Sequence, residues 1–267
     1  MHNIYSAILE AQANGIAGAL CTIIRSSGSV PRHSTSKMLV YADGKFSGTI
    51  GGGEMEHRVI EAAKEIARSG QTRIVEYNLV DPKQGDPGVC GGTVEVFIEP
   101  INPPPSVLII GAGHVGRAVA HLAKWLGFRV IVADDRIDLA SPDWIPEADV
   151  HLSGPVLEQL PKAAINSQTY ILALTRGYNI DVETLPLLLE TDAAYIGVIG
   201  SRRRWTAALK ELRGKGVSEE KLARVHAPIG LELNAETPEE IAVSIMAEII
   251  MLRNKGTGKS MSGISNE

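Results

Sequence analysis

The sequence is poor in cysteine, in aromatic side chains and in basic charge. Only two cysteines, Cys21 and Cys90, occur among 267 residues, so we expect no disulfide framework. Aromatic residues make up 4% of the chain and glycines number 27, a balance that favours layered α/β architecture over an aromatic-rich β-sandwich. The 31 acidic residues outnumber the 26 lysines and arginines, which argues against non-specific binding to nucleic acid.

Long apolar runs are also missing. No stretch approaches the ~20 apolar residues that cross a bilayer, and the first ten residues lack the basic start and apolar centre of a secretory signal. We therefore expect no membrane association and a cytoplasmic location. Hydrophobic residues make up 44% of the chain, enough for one large core or two modest ones.

A run of prolines divides the chain. The stretch from Pro100 to Pro105 is expected in neither a helix nor a central strand. We predict an N-terminal domain over residues 1–100, a proline linker over 101–106 and a second domain over 107–253. The remaining residues, 254–267, are rich in Gly, Ser and Lys and are expected to be a disordered tail.

The two predicted domains differ in pattern. Before the linker, short strands surround an amphipathic helix that starts near Glu54, which is typical of an α+β domain. After the linker, strands and helices alternate regularly, which predicts a doubly wound parallel sheet with helices on both faces. The fold class expected for the whole chain is therefore α/β.

A glycine-rich loop opens the second domain. It follows a strand, precedes a helix and has the spacing GxGxxG, in which the glycines allow a tight turn, the approach of a pyrophosphate and close helix–strand packing. Asp134 ends the next strand, where an acid would bind a ribose hydroxyl and disfavour a 2′-phosphate. We predict a Rossmann fold that binds NAD or NADP, with NAD preferred; the alternative is a Rossmann-like fold without a dinucleotide. The residues expected at the ligand are Gly111, Gly113, His114, Gly116 and Asp134.

The first domain has a glycine loop of its own. Gly51, Gly52 and Gly53 join a strand to a helix, where backbone amides and the helix dipole favour an anion. Glu56 lies in the first turn of that helix. It is either part of the site or only a favourable charge at a helix start.

A third loop carries basic charge. Ser201 is a suitable N-cap, and Arg202 begins a run of three arginines. Arginines at a helix N-terminus are unfavourable unless an anion or a carboxylate faces them. Ser201 and Arg202 are therefore candidate ligand-binding residues, and a solvated basic face is the alternative.

Candidates for chemistry are few. Cys90 lies among small residues in a Gly- and Pro-rich loop, where an accessible thiolate can react or bind a soft metal; the alternative is a small residue in a turn. His226 precedes Ala227-Pro228 and is either a general base or an ordered loop residue. Cys21 lies in an apolar strand and is expected in the core.

The combination of these motifs resembles the XdhC/CoxI family of xanthine dehydrogenase accessory proteins, over residues 4 to 252. The segments that carry the resemblance are residues 28–32, 37–40, 48–56, 90–95, 111–116, 134–136, 195–202 and 226–230. Glu54 stands where some relatives carry a cysteine.

The resemblance implies an N-terminal XdhC/CoxI-type domain, a Rossmann-like domain and a chaperone role. Such proteins bind the molybdenum cofactor, support its sulfuration by a cysteine desulfurase, and insert it into an apo-xanthine dehydrogenase or a related molybdenum hydroxylase. The glycine loops would then bind the pterin phosphate, and Cys90 would contact molybdenum or its sulfur.

Two other functions stay open on the sequence alone. One is an NAD(P)-dependent oxidoreductase that uses His226 as its base. The other is a regulatory module that senses a dinucleotide. The chaperone interpretation, without turnover of its own, accounts best for plentiful glycine loops beside so few acid/base candidates. A homodimer is the expected assembly.

Overall fold

A computed structural model describes residues 3–28, 30, 32, 34–78 and 92–263. The chain divides into two compact units, Met1–Pro104 and Pro105–Glu267. Each unit has its own sheet and its own hydrophobic core.

The first unit is an antiparallel sheet with two helices. Its elements are α1 (Ile4–Ala13), β1 (Gly18–Ser27), β2 (Lys37–Tyr41), β3 (Phe46–Gly48), α2 (Gly53–Ser69), β4 (Arg73–Asn78) and β5 (Thr93–Ile101). The strand order is β3-β2-β1-β5-β4, and every neighbouring pair is antiparallel. This arrangement agrees with the predicted α+β pattern.

Hydrophobic periodicity explains how this unit packs. In α2 the buried residues Met55, Val59, Ala63 and Ile66 recur every three or four positions and so form one helix face. In β5 every second residue is buried, beginning at Val94, as expected for a strand with one face on the core. Both faces meet in one apolar cluster.

One proline departs from the sequence-based expectation. Pro100 belongs to β5, where it pairs with Ala19 of β1. The other neighbour, β4, pairs with β5 only as far as Ile98, so the strand has a free side at Pro100. A proline is tolerated there because no ladder hydrogen bond to that side is lost. Residues 102–105 then separate the last strand of this unit from the first strand of the next.

The second unit alternates strands and helices. Its elements are β6 (Ser106–Ile110), α3 (His114–Trp125), β7 (Arg129–Asp134), β8 (Val150–Ser153), α4 (Val156–Gln159), β9 (Thr169–Ala173), α5 (Tyr178–Leu188), β10 (Tyr195–Val198), α6 (Arg202–Gly214), α7 (Glu219–Leu222), β11 (Val225–His226) and α8 (Pro238–Arg253). Among these, the short elements α4, α7 and β11 were not predicted from the sequence.

The sheet of the second unit is parallel and covered on both faces. Its strand order is β11-β10-β9-β6-β7-β8, which is the 3-2-1-4-5-6 order of a Rossmann fold read from the other edge. Alternate residues of β6 enter different cores: Val107 and Ile109 pack with α3 and α8, whereas Leu108 and Ile110 pack with α5 and α6. The predicted doubly wound fold is confirmed.

The last long helix begins as its sequence predicts. Thr237 caps α8 by accepting a hydrogen bond from the Glu240 amide, and the Glu240 side chain reaches back in a full capping box. Within the residues that the structure describes, none of the helices combines the length and the apolarity needed to cross a membrane.

Candidate functional site

The glycine loop between β6 and α3 divides its three glycines between structure and access. Gly111 has φ +113°, and a Cβ there would lie 2.4 Å from the Leu174 carbonyl oxygen. A Cβ on Gly116 would lie 2.1 Å from the Gly111 oxygen. A Cβ on Gly113 would meet nothing within 4 Å. Gly111 and Gly116 are thus required by packing, while Gly113 faces open space that a ligand could enter.

Asp134 ends β7 beside this loop, but its carboxylate is already engaged. It accepts hydrogen bonds from the Ala112 amide (2.7 Å) and from the Arg136 amide, Nε and Nη2 (2.9, 2.9 and 2.7 Å). Burial alone would raise the pKa of Asp134, but these hydrogen bonds outweigh burial and lower the pKa to about 2. The carboxylate therefore orders the loop, in contrast to the predicted role as a free acceptor for a ribose hydroxyl.

A narrow cleft lies at the carboxyl ends of β6, β7 and β9. We call it the switch-point cleft, because the strand order reverses between β6 and β9, where ligands of such sheets bind. Arg176 and Asp135 face each other across it in a bidentate ion pair, with distances of 3.1 and 2.8 Å. The polar or glycine residues that line the cleft are Gly111, Asp134, Asp135, Arg136, Thr175 and Arg176.

The basic loop before α6 has two kinds of residue. Ser201 is the N-cap and accepts a hydrogen bond from the Arg204 amide, as predicted. Arg204 binds buried Asp181 (2.6 Å) and the Thr175 hydroxyl (2.8 Å), so a carboxylate of the chain itself faces this arginine. Arg202, the residue proposed from the sequence, is exposed instead.

In the first unit, Glu56 occupies the donors of the glycine loop. Its Oε2 accepts hydrogen bonds from the Thr49 hydroxyl (2.5 Å), the Ile50 amide (3.1 Å) and the Gly52 amide (3.1 Å). Burial opposes ionisation, but these hydrogen bonds outweigh it and hold the pKa of Glu56 below its usual value. The anion that the sequence predicted for these amides is thus supplied within the chain. Gly52 and Gly53 have positive φ and open space beyond them.

His226 lies in an ordered polar group. Its Nδ1 is 3.2 Å from Glu248 of α8, while the other oxygen of Glu248 accepts hydrogen bonds from the Tyr195 hydroxyl (2.6 Å) and the Gly230 amide (2.7 Å). The His226 side chain is 39% exposed. A carboxylate-held imidazole suits a base, and it equally suits a residue that joins α8 to the sheet edge.

The two cysteines differ in what can be said of them. Cys21 is fully buried, as predicted, and burial raises the pKa of its thiol to about 12. Cys90 lies outside the described residues. Within the described ranges, no three His, Cys, Asp or Glu side chains form a group suited to a metal ion.

Sequence reasoning overlooked Arg176 and Glu248. Arg176 follows β9, and its place after a parallel strand was an available signal, because ligands bind at that edge. Glu248 is a single acid in the apolar stretch from Ile245 to Ile249, where a charge needs a partner.

The sheet order and the switch-point cleft define a Rossmann-fold protein preceded by an α+β domain. A family model described as the XdhC Rossmann domain matches residues 107–249, and the model of the XdhC and CoxI family matches residues 11–78. The chain therefore belongs to the XdhC and CoxI family.

Two curated relatives are longer than the chain. Uncharacterized protein YqeB of Escherichia coli is 38% identical over 97% of this chain and 48% of that protein. A probable xanthine dehydrogenase component of Bacillus subtilis is 32% identical over 61% of this chain and 47% of that protein. The chain thus spans about half the length of these two relatives.

Two further similarities cover nearly the whole chain. Molybdenum cofactor insertion chaperone PaoD of Escherichia coli is 23% identical over 92% of this chain and 86% of that protein. A crystal structure described as a xanthine dehydrogenase from Bacillus halodurans has a TM-score of 0.52 and 21% identity, with 98% of each chain covered. The latter likeness shows that the two proteins share a fold.

Proposed function

We propose that this chain is an accessory protein that binds the molybdenum cofactor, supports its sulfuration and inserts it into an apo-xanthine dehydrogenase-type molybdenum hydroxylase. The observation that carries the proposal is family membership in both parts of the chain, since the two family models match residues 11–78 and 107–249. The similarity to an insertion chaperone along 92% of the chain supports the same role. In this role the cofactor is cargo, and the chain has no turnover of its own.

The donors of the switch-point cleft suit the phosphate of such a cargo. Arg136 and Arg176 supply guanidinium groups, and Gly113 leaves open space at the neighbouring loop. The loop at Gly52 and Gly53 also borders open space, although Glu56 takes the neighbouring amides. We therefore assign the phosphate to the second unit. The first-unit loop, with Gly51 and Glu56, is proposed as a separate contact to the cargo.

Cys90 is the proposed contact to molybdenum or its sulfur. A thiolate is the side chain best suited to a soft metal or to sulfur transfer, and the other cysteine, Cys21, is buried with a raised pKa. A cysteine desulfurase would supply the sulfur and an apo-hydroxylase would accept the loaded cofactor. We place this exchange in the cytoplasm and expect a homodimer to perform it.

The test is to purify the protein from a host that makes the molybdenum cofactor and to measure molybdenum and pterin per chain. We expect near-stoichiometric pterin in the wild type, a lower content in Cys90→Ser and no change in the control Cys21→Ala. The loaded wild type should also activate an apo-hydroxylase. Unchanged retention in Cys90→Ser would remove Cys90 from the site, and wild-type protein without pterin would contradict the chaperone role.

The His226–Glu248 pair keeps an oxidoreductase as the second candidate. A general base needs a fixed orientation, which Glu248 supplies from α8. This function predicts bound NAD(P) instead of pterin, and loss of hydride transfer in His226→Gln. Bound NAD(P) without hydride transfer would point to a dinucleotide-sensing module.

A further inference from the structure

The switch-point cleft contains more unsatisfied donors than acceptors. The carboxylate of Asp134 accepts four hydrogen bonds, which is about the full capacity of a carboxylate. Arg136 uses only its Nε and one Nη2 hydrogen on that carboxylate, out of the five N–H donors of a guanidinium. A ribose diol needs an acceptor at this position, whereas a phosphate needs donors.

Arg176 adds a second guanidinium to the same cleft. Its partner Asp135 is held only by that arginine among the described hydrogen bonds, and the two side chains are 53% and 43% exposed. An exposed ion pair of this kind contributes little to stability and exchanges partners easily. The pair of Arg204 and Asp181 differs, because the Asp181 side chain is only 1% exposed.

We propose that the switch-point cleft is a phosphomonoester site in which Arg136 and Arg176 determine specificity, and that Asp135 occupies Arg176 until the ligand displaces it. A phosphate dianion carries more charge and more acceptor oxygens than a carboxylate, so it replaces Asp135 on the guanidinium. Displaced Asp135 returns to water at little cost. The cleft thus rejects ligands that lack a terminal phosphate, which reverses the preference for NAD expected from the sequence.

This inference depends on the geometry of the cleft and not on the chaperone role. Two sources can supply the phosphomonoester, a dinucleotide and a pterin. Calorimetric titration of the full chain uses two matched pairs of ligands. The first pair is ADP-ribose 2′-phosphate and ADP-ribose. The second pair is the phosphorylated pterin released by oxidation of molybdenum cofactor, before and after phosphatase treatment.

Two variants should shift the affinity in opposite directions. Arg176→Gln removes a charge-assisted donor pair and should weaken binding of the phosphorylated ligand by about tenfold. Asp135→Asn removes the internal competitor and should tighten binding by about threefold to tenfold. The control variants Arg213→Gln and Glu219→Gln break a similarly exposed bidentate pair on α6 and α7 and should leave affinity unchanged.

The outcomes separate this site from the proposed function. Preference for either phosphorylated ligand, with the two opposite shifts, supports the site and identifies its source. Equal affinity within both ligand pairs, or the same affinity in Asp135→Asn and Arg176→Gln, overturns it. Pterin retained by purified protein without these shifts would leave the chaperone role standing and the site wrong; the reverse result would leave only the site.

Discussion

At the scale of single residues, Glu54 and Glu56 illustrate how two similar acids in one helical turn differ in consequence. Glu56 holds three donors of the glycine loop through one oxygen. Glu54 forms an ion pair with Arg58 one turn along α2, and both of those side chains are more than a third exposed. The first carboxylate fixes a loop of positive-φ glycines, and the second is a surface pair.

Glu56→Gln should lower the free energy of unfolding by about 1.5–3 kcal/mol, because hydrogen bonds to a charged acceptor are lost or weakened. Glu54→Gln should change it by less than about 0.5 kcal/mol, since an exposed i,i+4 pair contributes little. Urea denaturation of the two variants beside the wild type gives both values. Equal losses would mean that the Glu56 carboxylate does not order the loop.

The sequence located these acids but not their partners. Asp134 and Glu56 were predicted as site residues from their positions after a strand and at a helix start. Whether a carboxylate faces a ligand or the chain's own amides depends on side-chain direction and loop curvature, and neither leaves a periodic signal. The same limit applies to Arg204, whose partner Asp181 lies 23 residues away in the chain.

At the scale of elements, the turn between β6 and α3 offers two glycines for the same substitution. Gly116→Ala places a Cβ 2.1 Å from the Gly111 oxygen, which is a backbone atom that cannot move aside. It should lower the free energy of unfolding by about 3 kcal/mol. Gly113→Ala places its Cβ in open space at φ −70°, so stability should change by less than about 0.5 kcal/mol.

The two variants should differ in binding as well as in stability. Gly113→Ala should stay folded and bind ADP-ribose 2′-phosphate at least about tenfold more weakly, because the methyl group enters the space proposed for the phosphate. Thermal unfolding and calorimetry test the two parts separately. Folded Gly113→Ala protein with wild-type affinity would show that the loop is structural only.

Elements with strong periodicity were predicted well. The strand and the helix on either side of this turn follow from an apolar run and a 3.6-residue repeat, and both lie where expected. Strand β11 was not predicted because a two-residue strand has no periodicity of its own. It forms because Val225 and His226 pair with the edge of β10. Such pairing is a property of the assembled sheet.

At the scale of the whole molecule, the two units are separate in their cores and sheets. The apolar cluster of the first unit draws only on residues 19–98, and the two clusters of the second unit draw only on residues 107–249. The central strand β6 pairs with both β7 and β9, so the second sheet is complete without strands from the first. Each unit therefore has the features of an independent domain.

We expect residues 105–267 to fold when expressed alone, because every strand and both core clusters of that unit lie within this range. Circular dichroism and a cooperative urea transition measure this directly. The matched control is residues 129–267, which lack β6 and α3. Removing the central strand leaves β7 and β9 without a shared neighbour, so this shorter fragment should not fold. An unfolded 105–267 fragment would show that the second unit depends on the first for its stability.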